Sequence, residues 1–319
     1  MGIFRIRALG FLRRLFYSSL IASFLLSLSA CTLFHPADLP PLLEANQAPR
    51  VALNVPFFPQ TEHQCGPSAT AMLLQFSGVE VTPEAMTEAV YSEKKSGSLQ
   101  PSIIAAIRRN DRIAYEINDW SGLLAELNAG HPVLVLENLA LDFWPVWHYA
   151  VVIGYDSNTD EIILHSGTTS NEHVNARRFA FRWLRGNLWG VIALKPEEWP
   201  ASADENTYLQ ALLGFERVNL TAALLGYQQA VEHWPNSTKA WLGYGNAAIS
   251  LKNYVTSVNA FEKATKLAPN LSGAWNNLAL SYFYLGRKNE AQSAIEKALK
   301  LSPGNPAIMD TAKEINNSN

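Results

Sequence analysis

Three prolines, Pro235, Pro269 and Pro303, stand 34 residues apart near the end of this 319-residue chain. Trp241 and Trp275 keep the same interval, and Phe261-Glu262-Lys263-Ala264 returns as Ile295-Glu296-Lys297-Ala298. A fixed period of this length constrains the fold more than composition can. Each period is one supersecondary unit, too small to bury its own apolar face, so neighbouring units must stack. Residues 204–305 are therefore expected to be helical and repetitive, whereas residues 51–195 mix short helix signals with β-rich runs. Net charge is only −3, so no basic field is available for a phosphate backbone and nucleic acid is a poor partner.

The 34-residue pattern resembles the tetratricopeptide repeat. Residues 272–305 carry Trp275, Leu278, Ala279, Tyr282, Ala291, Ile295, Ala298 and Pro303 at its set positions. Residues 238–271 carry Trp241, Tyr244, Gly245, Phe261, Ala264 and Pro269. Residues 204–237 form a degenerate first copy that keeps Ala211, Ala223, Tyr227, Ala230 and Pro235. The resemblance implies an α-solenoid of three repeats with a concave face for a protein partner. Residues 306–319 are read as a tail.

The N-terminus reads as an export signal. Residues 1–30 hold four arginines and no acid, which leaves −7 for the remainder. The uncharged stretch 15–30 is short for a membrane span of about 20 apolar residues. It ends Leu28-Ser29-Ala30-Cys31. That ending resembles the bacterial lipobox and implies a lipidated Cys31 as the mature N-terminus. Thr32, rather than Asp, after the cysteine implies the outer membrane, facing the periplasm. Residues 31–50, with Pro36, Pro40, Pro41 and Pro49, read as a tether.

In residues 51–200, 51–58 is expected as an extended entry strand. A helix follows over 66–76, with Pro67 near its start and Gly78 past its end. Ala69, Met72, Leu73 and Phe76 make one buried stripe. Further helices are expected from Thr82-Pro83-Glu84, over 100–109 and over 121–129. Strands are expected at 133–136, 148–155, 161–165 and 189–194, with a hairpin loop at 156–160. Helices followed by an antiparallel sheet give an α+β domain.

The chemistry concentrates at Cys65, in Gln64-Cys65-Gly66-Pro67. The only other cysteine is Cys31, so neither a disulfide scaffold nor a cysteine zinc site is available. A cysteine at a helix N-terminus meets the positive end of the dipole, which favours the nucleophilic thiolate. A thiol nucleophile needs a base, and His148, opening an apolar strand, is well mounted to serve as one. No His-Glu-x-x-His, cysteine pair or glycine-rich phosphate loop is present, so no metal or cofactor is expected.

Three segments together resemble a known family. They are Val55-Pro56-Phe57-Phe58-Pro59-Gln60, Gln64-Cys65-Gly66-Pro67-Ser68-Ala69 and 147–156, Trp-His-Tyr-Ala-Val-Val-Ile-Gly-Tyr-Asp. They look like the papain-like cysteine peptidases of the bacteriocin-leader (double-glycine) processing family, in particular stand-alone lipoprotein relatives that carry tetratricopeptide repeats. The resemblance implies Cys65 as nucleophile, His148 as general base and Gln60 as oxyanion-hole donor, with Gln64 the less suited glutamine.

The family usually places Asp or Asn on the strand after the hairpin. Here Ser166 stands near that position, beside His165, and serine brings no charge. Asp156 and Asp160 read as turn residues. Two main readings follow: an exported, lipid-anchored cysteine peptidase with a partner-binding solenoid, or a peptidase-like scaffold acting through its repeats. A thiol acyltransferase or amidase using the same pair is a third. The transporter spans of leader-processing enzymes have no counterpart after residue 31. Trp144 and Trp147 are expected to border a substrate groove. The repeats hold no proposed catalytic group, so a chain ending near Pro200 is expected to keep small-peptide turnover.

Overall fold

The computed structural model describes residues 43, 50–60 and 64–317. The export signal, Cys31 and nearly all of the tether lie outside the described residues.

The first half starts with β1 (Arg50–Ala52), α1 (Cys65–Phe76) and α2 (Pro83–Val90). A small hairpin, β2 (Tyr91–Ser92) and β3 (Gly97–Ser98), precedes α3 (Gln100–Arg109), β4 (Ile113–Ile117) and α4 (Trp120–Asn128). Then come β5 (Val133–Asn138), β6 (Trp147–Asp156), β7 (Glu161–Ser166), β8 (Thr169–Asn175), α5 (Ala176–Arg185) and β9 (Gly190–Leu194). Seven of the described strands form one antiparallel sheet in the order β4-β9-β5-β6-β7-β8, with β1 also pairing β6. The ten-residue β6 is long enough to take β5 along 147–152 and β1 along 154–156.

The core lies between this sheet and α1. Met72 and Leu73 meet Leu134, Tyr149, Val151, Ile153 and Ile163 there. α1 is buried from Gly66 to Leu74. Burying one such aliphatic side chain stabilises by about 1.5–3 kcal/mol, so this helix is held by tertiary packing more than by propensity. α2 has the Pro-containing first turn read from sequence, capped by the Thr82 side chain.

Several elements carry little sequence signal. β8 reads Thr-Ser-Asn-Glu-His-Val-Asn and lies at the sheet edge with most side chains in solvent, so it shows no apolar alternation. α5 buries Ala176, Phe179 and Trp183 beneath four arginines. The expected entry strand is shorter than 51–58: residues 50–52 pair in register, Leu53 N–H adds one bond to Ile153 O at 2.8 Å, and Pro56 has no N–H to carry the ladder on.

The second half consists of helices throughout: α6 (Glu205–Phe215), α7 (Leu220–His233), α8 (Thr238–Ser250), α9 (Tyr254–Leu267), α10 (Ser272–Tyr284) and α11 (Lys288–Leu301). The period has a bonded cause. The Trp241 indole donates to the Pro235 carbonyl at 2.9 Å, and Trp275 does the same to Pro269 at 2.8 Å. Each bond closes one repeat onto the next. Gly245 lies against the Phe261 ring, where a side chain would collide. The tail expected over 306–319 is instead a helix, α12 (Pro306–Asn317). Its Ile308, Ala312 and Ile315 join Leu278, Tyr282 and Ile295 in the core and cover the open face of the last repeat.

The halves are locked together. The fully buried Glu126 carboxylate accepts from Ser202 N–H at 2.7 Å and Oγ at 2.6 Å, and pairs with His131 Nδ1 at 2.6 Å. Tyr115 donates to Ser202 O and accepts from Asp204 N–H. Trp199 stacks on His233 with centroids 3.9 Å apart. Residues 199–204 are therefore an interface rather than a free linker, and a cut near Pro200 removes contacts that the N-terminal domain makes.

Candidate active site

A cleft of about 600 Å³ opens at one end of the sheet. Gln60, Cys65, Trp147, His148 and Gly167 line it, with residues 95–100 around the β2–β3 hairpin forming the far wall. Chain segments distant in sequence thus meet here.

Cys65 is the first residue of α1 and is a free thiol, half-buried. The preceding Gln64 gives no side-chain cap and Pro67 has no N–H, so the Cys65 and Gly66 amides have no acceptor among the described residues and form the donor end of the helix. Gly66 is required by a close approach: a side chain there would run into Ser98. The Tyr149 hydroxyl donates to Ser98 O at 3.2 Å, tying the hairpin wall to β6. Burial, and then the nearby Cys65, push the Tyr149 phenol well above its ordinary range, so it stays a donor.

His148 sits near the start of β6, between β5 and β7. Its Nε2 lies 3.1 Å from Ser166 Oγ. Nδ1, on the other edge of the ring, has no hydrogen-bond partner among the described residues. Burial, followed by the charge of Arg182, holds the imidazole below its ordinary pKa, so it is neutral at pH 7 and able to accept a proton. No hydrogen bond joins Cys65 Sγ to the ring; the two share the cleft.

Gln60 is fixed by three bonds. Its N–H donates to Gly167 O at 2.9 Å, its Oε1 accepts from Gly167 N–H at 3.0 Å, and its Nε2 donates to Tyr149 O at 3.2 Å. Gly167 follows Ser166 in a turn with φ of +57°, and Tyr149 follows His148. The amide is thus braced against the residues next to His148 and Ser166. Because Oε1 accepts, Nε2 is the donor end, and its second N–H is available to the cleft. Gln64 is not among the cleft-lining residues.

The other candidates lie elsewhere. His165 is a satisfied core histidine: Nε2 bonds to Val55 O at 3.0 Å, Nδ1 accepts from Asn171 N–H at 3.1 Å, and the ring packs on Phe57. Burial lowers its pKa, against the Val55 bond that raises it. Asp156 pairs with Arg50 at the far end of β6, eight residues or about 26 Å from His148. Asp160 accepts from Leu43 N–H at that same end. Trp183 and Trp189 are core, while Trp147 borders the cleft as expected. Trp144, 75% exposed with Phe143 at 82%, stands on the β5–β6 loop without lining the cleft.

Sequence reasoning missed Glu137. It continues the apolar run 133–136 into β5, is fully buried, and lies directly opposite His148. The available signal was a carboxylate extending a buried strand. Among the described residues no group of side chains could hold a metal ion.

A Peptidase_C39 like family model matches residues 52–187. Tetratricopeptide repeat models match residues 208–272 and 272–305. No curated protein matches the chain. Among solved structures, a protein from Bacillus anthracis named as a C39-like peptidase is 18% identical and covers 46% of this chain and 98% of its own, with a TM-score of 0.40. The second tetratricopeptide domain of human RPAP3, solved with an HSP70 peptide, is 19% identical and covers 35% of this chain and 94% of its own, with a TM-score of 0.34. The Arabidopsis OM64 tetratricopeptide domain is 16% identical, covers 35% and 94%, and has a TM-score of 0.34. This chain joins an N-terminal Peptidase_C39-like domain to C-terminal tetratricopeptide repeats.

Proposed function

We propose that the chain is an exported, lipid-anchored cysteine peptidase whose repeats hold a protein partner. The carrying observation is the cleft: a thiol at an uncapped helix end, an imidazole held neutral, and an amide donor braced beside both. His148 takes the Cys65 proton, and Sγ attacks the carbonyl carbon of a peptide bond. The oxyanion is held by Cys65 N–H and Gln60 Nε2–H; one such donor is worth roughly 3 kcal/mol. His148 then gives the proton to the leaving amine as the C–N bond breaks and a thioester remains. Water, deprotonated by His148, hydrolyses the thioester and restores the thiol. Selective alkylation of Cys65 by an active-site-directed thiol reagent, with matching loss of peptide hydrolysis, is the expected result. Hydrolysis that survives complete alkylation defeats the reading.

A scaffold reading is favoured by one contact, the Ser166 hydroxyl where the family places a side chain with an amide or a charge. Under the peptidase reading Ser166→Asp raises turnover, because a carboxylate orients and stabilises the imidazolium. Under the scaffold reading neither the parent nor this variant cleaves peptides.

Anchoring rests on residues 28–31 of the sequence alone. Mass spectrometry of protein from a two-membrane bacterium is expected to find a start at Cys31 with acyl mass. A different, unmodified start refutes it. No helix among the described residues is long and apolar enough to cross a membrane.

A further inference from the structure

His148 is flanked on both sides. Ser166 reaches it from β7, and Glu137 faces it from β5 in direct cross-strand register. Directly opposed residues in an antiparallel pair share one face of the sheet, with Cβ atoms about 5 Å apart. Glu137 is fully buried, and neither carboxylate oxygen has a hydrogen-bond partner among the described residues. A buried carboxylate without bonds is costly in a fold, and such groups are normally satisfied.

The charged groups around it are few. Arg178, Arg182 and Arg185 face it from α5, Glu172 from β8 and His148 from β6. Arg185 uses one nitrogen on Asn138 O, and its buried Nε makes no bond. Arg182 acts on both Glu137 and His148. The positive charge of Arg182 opposes an imidazolium at His148, so the step that charges the ring needs a nearby anion.

We infer that Glu137 supplies that anion: it is a positioning residue, acting through His148 to stabilise the imidazolium formed when the ring takes the thiol proton. This deepens the cysteine-peptidase reading and rests on it. The carboxylate replaces, from β5, the charge that Ser166 on β7 lacks. Burial pushes the Glu137 carboxyl up to about 7, against the pull of the three arginines. Glu137 therefore titrates across neutral pH, and it shares with His148 the field of Arg182.

The test compares the full chain with its Glu137→Gln variant, which keeps shape and removes only the charge. Hydrolysis of fluorescein-labelled casein and iodoacetamide alkylation of Cys65, followed by peptide mass spectrometry, are measured from pH 5.5 to 7.5. The expected ratio of parent to variant rate is near one at pH 5.5, where Glu137 is neutral in the parent. It climbs to about tenfold at pH 7.5, where the carboxylate forms. A ratio constant across this range, at one or at any other value, overturns the inference, since a structural role has no reason to follow the titration. Alkylation needs no substrate. A parent that leaves casein intact yet shows the climbing alkylation ratio counts against the peptidase reading and supports the coupling of Glu137 to His148.

Discussion

The repeat array and the cleft solve opposite problems with the same chain. In the array the recurring contacts are made within a repeat or to the next one: Trp241 to Pro235, Trp275 to Pro269, Gly245 to Phe261. In the cleft the partners are far apart in sequence, as with Gln60 to Tyr149 and His148 to Ser166 across the sheet. Local contacts leave a period in the sequence, whereas non-local ones leave only isolated residues whose partners must be found in space. The array therefore tolerates a local change as a local loss. The cleft acts as a unit, and one missing group disables the rest.

The sharpest way to break this contrast is in the cleft. Cys65→Ala and His148→Ala are each expected to lower kcat/KM by at least about a thousandfold, and the double variant to be no worse than either. Additive losses would show that thiol and ring work separately. Gln60→Ala is expected to cost about a hundredfold in kcat while Cys65 is still alkylated.

A cut after Pro200 tests whether the two regions are separable. It removes both Ser202 bonds from the buried Glu126, and it takes Asp204 and Tyr208 away from Tyr115. Glu126 keeps His131 but loses both Ser202 bonds, at a cost of about 1–3 kcal/mol, so the truncated domain is expected to melt below the full chain. An unchanged melting temperature of the N-terminal domain would make the interface ornamental.

Titration of Glu137 gives a smaller effect with a definite sign. Its pKa rises from 4.5 in the unfolded chain to about 7 in the fold. The unfolded chain thus ionises first, and the contribution to stability, full below pH 4.5, is lost as pH rises through 7. Glu137→Gln should be more stable than the parent by up to about 3 kcal/mol at pH 8 and equal to it near pH 4.5, measured by urea unfolding. His148 runs the other way: its lowered pKa makes stability fall as pH drops below 6.5. A carboxylate that destabilises the fold at the pH where it helps the base is what a functional group in a core is expected to do.

The smallest effect belongs to the array. Trp275→Phe removes one indole bond to Pro269 and is expected to cost about 1 kcal/mol in urea unfolding, without changing peptide hydrolysis. A loss of hydrolysis would show that the array is coupled to the cleft.

Much of this protein was fixed by local rules and could be read directly. The 34-residue spacing revealed the repeats because Trp and Pro six residues apart close each unit by a bond. Pro67, Gly78 and the apolar stripe revealed α1, Cys65 and His148 stood out as a thiol and a base, and Gln60 entered only through the family resemblance. The tertiary structure alone decided the rest. It turned residues 306–317 into a capping helix, because the last repeat has an apolar face to cover. It seated β8 at the sheet edge with no apolar pattern, since its ladder needs only backbone groups. It assigned His165 to the core and removed Asp156 to the far end of β6, because alternate strand residues point to opposite faces and each adds about 3.3 Å. The same pleat brought Glu137 opposite His148. Cross-strand register depends on how β5 and β6 pair, and no spacing along a single chain records it.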